Sequence, residues 1–362
     1  MKFIIILFLL ILSNYLSAQN LNTESATKFW KIIDVVKKDI PISNELWSEF
    51  RNAKADSLWF GMARQLDKNY ELYYRNAIEI VFRPSNKSKL DSIINLPKDN
   101  SRNLQNIFVI GMYQNYFLNE QGIREFYKRV SETAYLDTIY NIAITMLPKK
   151  FKKPTERLNA LNIYIHGIES GANATRHGIM FSMAGLYNFE KEHFGILGAH
   201  ELHHLLRVSK LKGSIQSNHK FAVDIMESCL NEGSADILNN LPVFEKPEFT
   251  DLKTMTLINS EEKLRTIDKW FSERFADTSK TRSEEEIATL FNYLGGHNPG
   301  YFMARTIVVN GFKNELRETI DNPFHFFLLY QKAAKKDKSK PPTFSIKTIN
   351  FIKQLEKLYY NK

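Results

Sequence analysis

His200, Glu201 and His204 stand in the stretch GAHELHHLLR, at the spacing of two metal ligands and a base. On a helix, positions i and i+4 lie one turn apart on one face, so the two imidazoles converge on a single ion. Glu201 sits at the edge of that face, where its carboxylate can take a proton from water instead of binding the ion. The chemistry such a set supports is zinc-assisted hydrolysis, which also needs a third protein ligand and one coordination position left open. Glu232, in the stretch ESCLNEGSADILNNL, is the candidate third ligand on a second helix. Asp236 follows Glu232 by one helical turn, faces the same way, and could accept the free ring N–H of a histidine ligand. Gly233 has no side chain and would let the two ligand helices approach closely.

Hydrolysis also needs a donor aimed at the oxygen that becomes negative. The stretch GGHNPGY offers His297 and Tyr301. Asn298 and Pro299 suit a helix start, which places Tyr301 in the first turn. A phenol donates without first being protonated, so Tyr301 is the preferred donor and His297 the alternative. His203 reads as a solvent-facing residue or one that supports a ligand. His166 reads as an ordinary strand residue, His193 as a helix-surface residue, and Cys229 as a buried, inert thiol.

The pairing of HELHH with NEGSAD resembles the gluzincin metallopeptidases, the thermolysin-like group. More closely, a helical N-terminal half joined to these motifs resembles exported bacterial zinc-dependent peptidases. The specific likeness spans roughly residues 160–310. It implies a zincin-like fold and peptide-bond hydrolysis with one zinc per chain. By the same likeness His200, His204 and Glu232 are the ligands, Glu201 is the general base, and Asp236 is the carboxylate that supports a histidine ligand. Gluzincins draw a Tyr or His from downstream of the third ligand. The chain lacks the G-x-M-E-N stretch of the large aminopeptidases. The segment LLRVSKLKG also lacks the third histidine of metzincins.

The elements that must position these residues read as mainly α, an α+β arrangement with one small sheet beside the motif helix. Aromatic and aliphatic residues recur at helical spacing from Asn22 to about Leu147. The basic stretch PKKFKKPTER, Pro148–Arg157, breaks the pattern. Leu161–Ile168 and the stretch HGIMFSMAGL read as strands, with ESGANATRHG as the turn between them. The second strand could be a sheet edge that pairs with an extended peptide, or a plain core strand. Helices are expected at 189–209, 218–240, 260–275, 284–294, 300–311 and 314–333, with a last one toward the C-terminus. The expected organisation is a leader over residues 1–18, a helical region over 19–150 and a catalytic region over 151–362.

A 362-residue chain that is 43% hydrophobic can bury a large core, which excludes global disorder. Its net charge of +9 is spread along the chain and no nucleic-acid motif accompanies it, so no nucleic-acid partner is expected. Lys2, the apolar run Phe3–Leu12 and the small residues near Ala18 have the order of a secretory leader. The expected location is therefore periplasmic or secreted, with no membrane anchor after cleavage. Cys229 is the one cysteine, so no intramolecular disulfide can form. The competing reading is a non-catalytic exported metal-binding protein. Glu201 argues against it, because a purely structural site has no use for a base that does not ligate.

Overall fold

The computed structural model describes residues 21–63, 68–95, 104–132, 134–151, 161–168, 171–175, 177–244 and 250–360. The expected leader lies outside them, as do the Lys152–Arg157 part of the basic connector and Glu169, Ser170 and Arg176 of the expected turn. The described chain is mainly helical, with one small mixed sheet. No helix among the described residues is long and apolar enough to cross a membrane. Two compact units form, one from residues up to Thr138 with Thr155–Leu197, the other from Ile139–Pro154 with Gly198–Lys362.

In the first unit, α1 (Glu24–Val36) shows how the pattern folds. Phe29, Trp30, Ile32, Ile33 and Val36 recur at helical spacing and all are buried. Around them run α2 (Asn44–Arg51), α3 (Lys54–Ala63), α4 (Tyr70–Phe82), α5 (Lys87–Ile94), α6 (Leu104–Leu118) and α7 (Glu120–Glu132). Phe29 stacks on Tyr113 at 5.9 Å and meets Tyr116 at 5.2 Å, both on α6. Aromatic rings therefore carry much of this core.

The sheet of this unit has the order β1-β2-β4-β3. Here β1 is Leu21–Asn22, β2 Ile163–His166, β3 Ala172–Thr175 and β4 Gly178–Ser182. The strands β2 and β4 pair in parallel, Ile163 opposite Ile179, and every residue of both is buried. Unbroken apolar runs of this kind suit strands covered on both faces. Of the two readings of the stretch GIMFS, the core strand holds, since it lies between β2 and β3 in the sheet. One expectation is corrected. Part of the expected turn, Ala172–Thr175, is instead the outer strand, antiparallel to β4. The turn-prone residues Gly171 and Asn173 hid a short, half-exposed edge from composition.

The expected helix over 189–209 is also corrected to two, α9 (Met183–Glu190) and α10 (Ile196–Leu206), after α8 (Tyr135–Ala143). Gly195 turns the chain with φ +90°. Its N–H donates to the buried Glu190 carboxylate at 2.8 Å, which also accepts from the Tyr135 hydroxyl at 2.9 Å. His193 lies in this break and not on a helix surface.

From Gly198 onward the second unit continues α10 and adds α11 (Ser217–Phe244), α12 (Thr250–Ala276), α13 (Glu284–Leu290), α14 (His297–Val309), α15 (Lys313–Glu318), α16 (Pro323–Ala334) and α17 (Ile346–Tyr359). The expected helix over 314–333 is two helices, because Asn322 caps α16 through the His325 N–H and Pro323 opens it. Phe271 of α12 lies within 6.2 Å of the rings of Phe221, Phe327 and Phe351, joining four helices.

The most extensive helix–helix contact of this unit is between α11 and α14. Glycines face glycines there. A Cβ on Gly233 would overlap the Gly300 carbonyl, one on Gly300 the Cys229 carbonyl, and one on Gly296 the Ser228 carbonyl. The close approach expected of Gly233 is therefore real, but its partner is α14 and not the helix of the HExxH motif. Gly300→Ala should destabilise the protein by about 1–3 kcal/mol, the usual cost of overpacking, read as a lower denaturation midpoint. A wild-type midpoint would show that the backbones have room to part.

Candidate metal centre

His200 and His204 come from successive turns of α10, and their Nε2 atoms lie 3.0 Å apart. Their rings meet edge to face with centroids 4.7 Å apart. Glu232 reaches the pair from α11, its Oε2 lying 3.2 Å from His204 Nε2 and 3.7 Å from His200 Nε2. Nitrogen and oxygen ligands about 2.0–2.1 Å from a tetrahedral zinc lie roughly 3.3–3.4 Å from each other. The three separations straddle that value, so two imidazoles and a carboxylate fit zinc and leave one coordination position over. His200 is buried, whereas His204 and Glu232 keep part of their side chains open to solvent. Glu201, next to His200 on α10, is also buried.

With Nε2 of His200 turned to the site, Nδ1 carries the ring proton and donates to Asn239 Oδ1 at 3.2 Å. Asp236, the expected support, stands 3.6 Å from the same nitrogen. It binds more closely elsewhere, its two oxygens lying 3.1 and 3.2 Å from Nδ1 of His297. His297 Nε2 is in turn 3.2 Å from Glu232 Oε2, and its ring stacks on His200 at 5.7 Å. His200, Asp236 and His297 thus form a second convergent trio that shares a histidine with the first. Its contacts through Nδ1 are hydrogen-bonding support.

Three carboxylates, Glu201, Glu232 and Asp236, surround three imidazoles, and protonation follows. Burial pushes His200 down, but its close approach to Glu232 and the charges of Asp236, Glu201 and Glu232 carry it up to about 9. Burial pushes Glu232 up, yet hydrogen bonds from His200 and His204 hold it well below the usual carboxylate range. His297 is lowered by burial and raised more by Asp236 and Glu232. The cluster favours positive charge at its centre, supplied by protons or by a divalent cation.

His203 differs from its reading, and Tyr301 lies deeper than His297. His203 is fully buried, and neither ring nitrogen has a hydrogen-bond partner among the described residues. Burial and then the neighbouring positive groups hold it well below the usual histidine range. It is a neutral core residue. Tyr301, one turn beyond His297 on α14, is only 1% exposed, whereas the His297 side chain is 41% exposed. Cys229 is buried as expected, and burial pushes its thiol up.

Sequence reasoning missed three groups. Asn239 lies seven residues after Glu232, on the stripe that carries Glu232 and Asp236, and that periodicity was the signal available. Asn231 donates to Glu232 Oε1 at 3.1 Å, fixing the carboxylate oxygen that faces away from the histidines. Arg207, three residues after His204, donates to Asn231 Oδ1 at 3.2 Å, to the Ile320 carbonyl at 3.1 Å and to the Glu227 carboxylate. It therefore ties the end of α10 to the residue that orients Glu232.

The sequence model of one protein family, described as "Putative zinc dependent peptidase (DUF5700)", matches residues 47–339. No curated protein and no solved structure matches the chain.

Zinc titrations against a competing chelator check this geometry. Asn231→Ala and Asn239→Ala should each bind zinc about 10- to 100-fold more weakly while remaining folded. Wild-type affinity should climb with pH toward 9, because below that value the metal must displace the proton of His200. Unchanged affinity in both variants, or a flat pH profile, would remove these roles.

Proposed function

The chain belongs to this family of zinc-dependent peptidases, its match spanning most of the sequence, and from that premise we propose that it is an exported, gluzincin-like metallopeptidase. The observation that carries the reading is the convergence of His200, His204 and Glu232 within 3.7 Å of one another, with Glu201 beside them. A non-catalytic metal-binding site would not need that carboxylate. A zinc ion held by the three ligands would polarise a peptide carbonyl and bring the pKa of a water toward about 7.

The chain's own residues do the rest. Glu201 takes the proton of the attacking water on its carboxylate and delivers it to the departing amide nitrogen. Asp236 accepts from Nδ1–H of His297 and its charge favours the protonated ring, in which Nε2–H is also present as a donor for the carbonyl oxygen as it gains charge. We assign the oxyanion donor to His297 and not to Tyr301, because the imidazole reaches solvent and the phenol is buried in the core. Asn239 and Asn231 keep His200 and Glu232 in a single orientation. Export is supported by the basic, apolar and small-residue order of Lys2–Ala18. Recovery of a chain lacking those residues outside the cytoplasm tests that part.

Peptidase assays with zinc analysis on the same preparations test the chemistry. Glu201→Gln should keep its zinc and lose about 10²- to 10⁴-fold in turnover. His297→Ala should lose about 10²- to 10³-fold with zinc retained, and Tyr301→Phe should stay near wild type. Full activity in Glu201→Gln would remove the general base and favour the non-catalytic reading. A loss confined to Tyr301→Phe would return the donor role to the phenol.

A further inference from the structure

A polar cavity of about 270 Å³ lies in the second unit between α12 and the segment formed by α13 and the turn after it. Lys263 lines it and is only 7% exposed, and its Nζ has no hydrogen-bond partner among the described residues. An ammonium withdrawn from water costs free energy unless a counter-charge or a set of acceptors replaces its hydration. Neither neighbouring group supplies one. Glu262, adjacent in sequence, lines the same cavity from an exposed position, where its charge acts on Lys263 through solvent, and it forms no ion pair with Lys263 among the described residues. The Cys229 thiol is buried, and burial keeps it neutral. Burial pulls Lys263 below the usual lysine range, as befits a cation without a partner.

We propose that this cavity is a binding site for a small carboxylate anion, with Lys263 as its counter-charge. The walls hold the neutral groups that would complete the anion's shell. Asn259 sits one turn before Lys263 on the same face of α12, and Thr289 and Asn292 approach from the opposite wall. A carboxylate offers two oxygens with about four acceptor positions, enough for an ammonium together with amide and hydroxyl donors. One cation balances one negative charge, and Glu262 also lines the cavity, which disfavours a phosphate dianion. The inference does not depend on the peptidase reading. An occupant would join α12 to the turn at Asn292, Tyr293 and Gly295, all with positive φ, through which the chain enters α14 and His297.

Thermal melts of the zinc-loaded full chain in increasing acetate, at constant ionic strength set with chloride, test the proposal. The expected result is a saturable rise in melting temperature in the wild type that phosphate does not reproduce and that Lys263→Met abolishes. Acetate bound at the zinc centre would instead raise the variant's melting temperature as well. Equal rises in wild type and variant, no rise in either, or the same rise with every anion would overturn the site. Should Lys263→Met fail to fold, NMR of isotope-labelled lysine in the wild type decides: acetate should raise the pKa of one buried lysine, and no change would overturn the proposal.

Discussion

The contacts of His297 at the candidate metal centre depend on two backbones that nearly touch. Gly233, Gly296 and Gly300 remove the side chains that would otherwise hold α11 and α14 at an ordinary interhelical distance of about 8–10 Å. Without that approach His297, the first residue of α14, could not reach Glu232 and Asp236 on α11 at 3.1–3.2 Å. Gly233 and Gly300, which lie within the helices, each give up about 0.5–1 kcal/mol of helix propensity relative to alanine, whereas Gly296 is the N-cap of α14. Selection for helix stability alone would replace them. Their presence at one contact is the mark of a geometry that the site requires.

The second constraint is electrostatic. Three carboxylates in a largely buried pocket repel one another, and each would pay to leave water. The imidazoles relieve that cost only while they carry protons, which is why His200 is carried up to about 9. A divalent cation bound by His200, His204 and Glu232 relieves the same cost with a charge that does not leave at neutral pH. The charge balance and the ligand spacing therefore point to the same occupant by independent routes. Arg207 sits outside this cluster and holds its edge in place through Asn231, so a cation stiffens the site without adding its own charge to the ligands.

The parts of this arrangement that were legible in the sequence are those governed by helical periodicity. His200 and His204, then Glu232 and Asp236, each share a face at a four-residue offset, and the structure brings both pairs to one centre. Mainly helical architecture was legible for the same reason, since apolar residues at a spacing of three and four persist through most of the chain. What sequence reasoning lacked was pairing between distant segments. It could not tell that Gly233 meets Gly300 and not α10, or that Asp236 turns first to His297. It gave His203 a solvent-facing or ligand-supporting place because a histidine beside a ligand reads as polar, whereas burial is set by neighbours that arrive from elsewhere. The breaks at Gly195 and at Asn322–Pro323 were written in local turn chemistry, but a continuous apolar rhythm overrode them in the reading. The edge strand Ala172–Thr175 was hidden because small and polar residues are weak strand formers, and its partner β4 supplies the missing preference.

The position of His297 links the two constraints. It is the first residue of α14, where the helix dipole opposes a positive charge, and burial opposes it further. Its protonated form is favoured first by Asp236, through a hydrogen bond and its charge, and then by the charge of Glu232. These carboxylates are not equivalent, because Glu232 faces the Nε2 atoms of His200, His204 and His297, whereas Asp236 faces Nδ1 of His200 and His297. Once Glu232 serves as a ligand, its charge is shared and its hold on Nε2 weakens, while Asp236 keeps Nδ1. The imidazole then stays oriented by one carboxylate and presents a free N–H toward the open side of the centre. The contact that ties His297 to Glu232 is thus the one that cation binding would weaken, while the contact with Asp236 keeps the ring oriented.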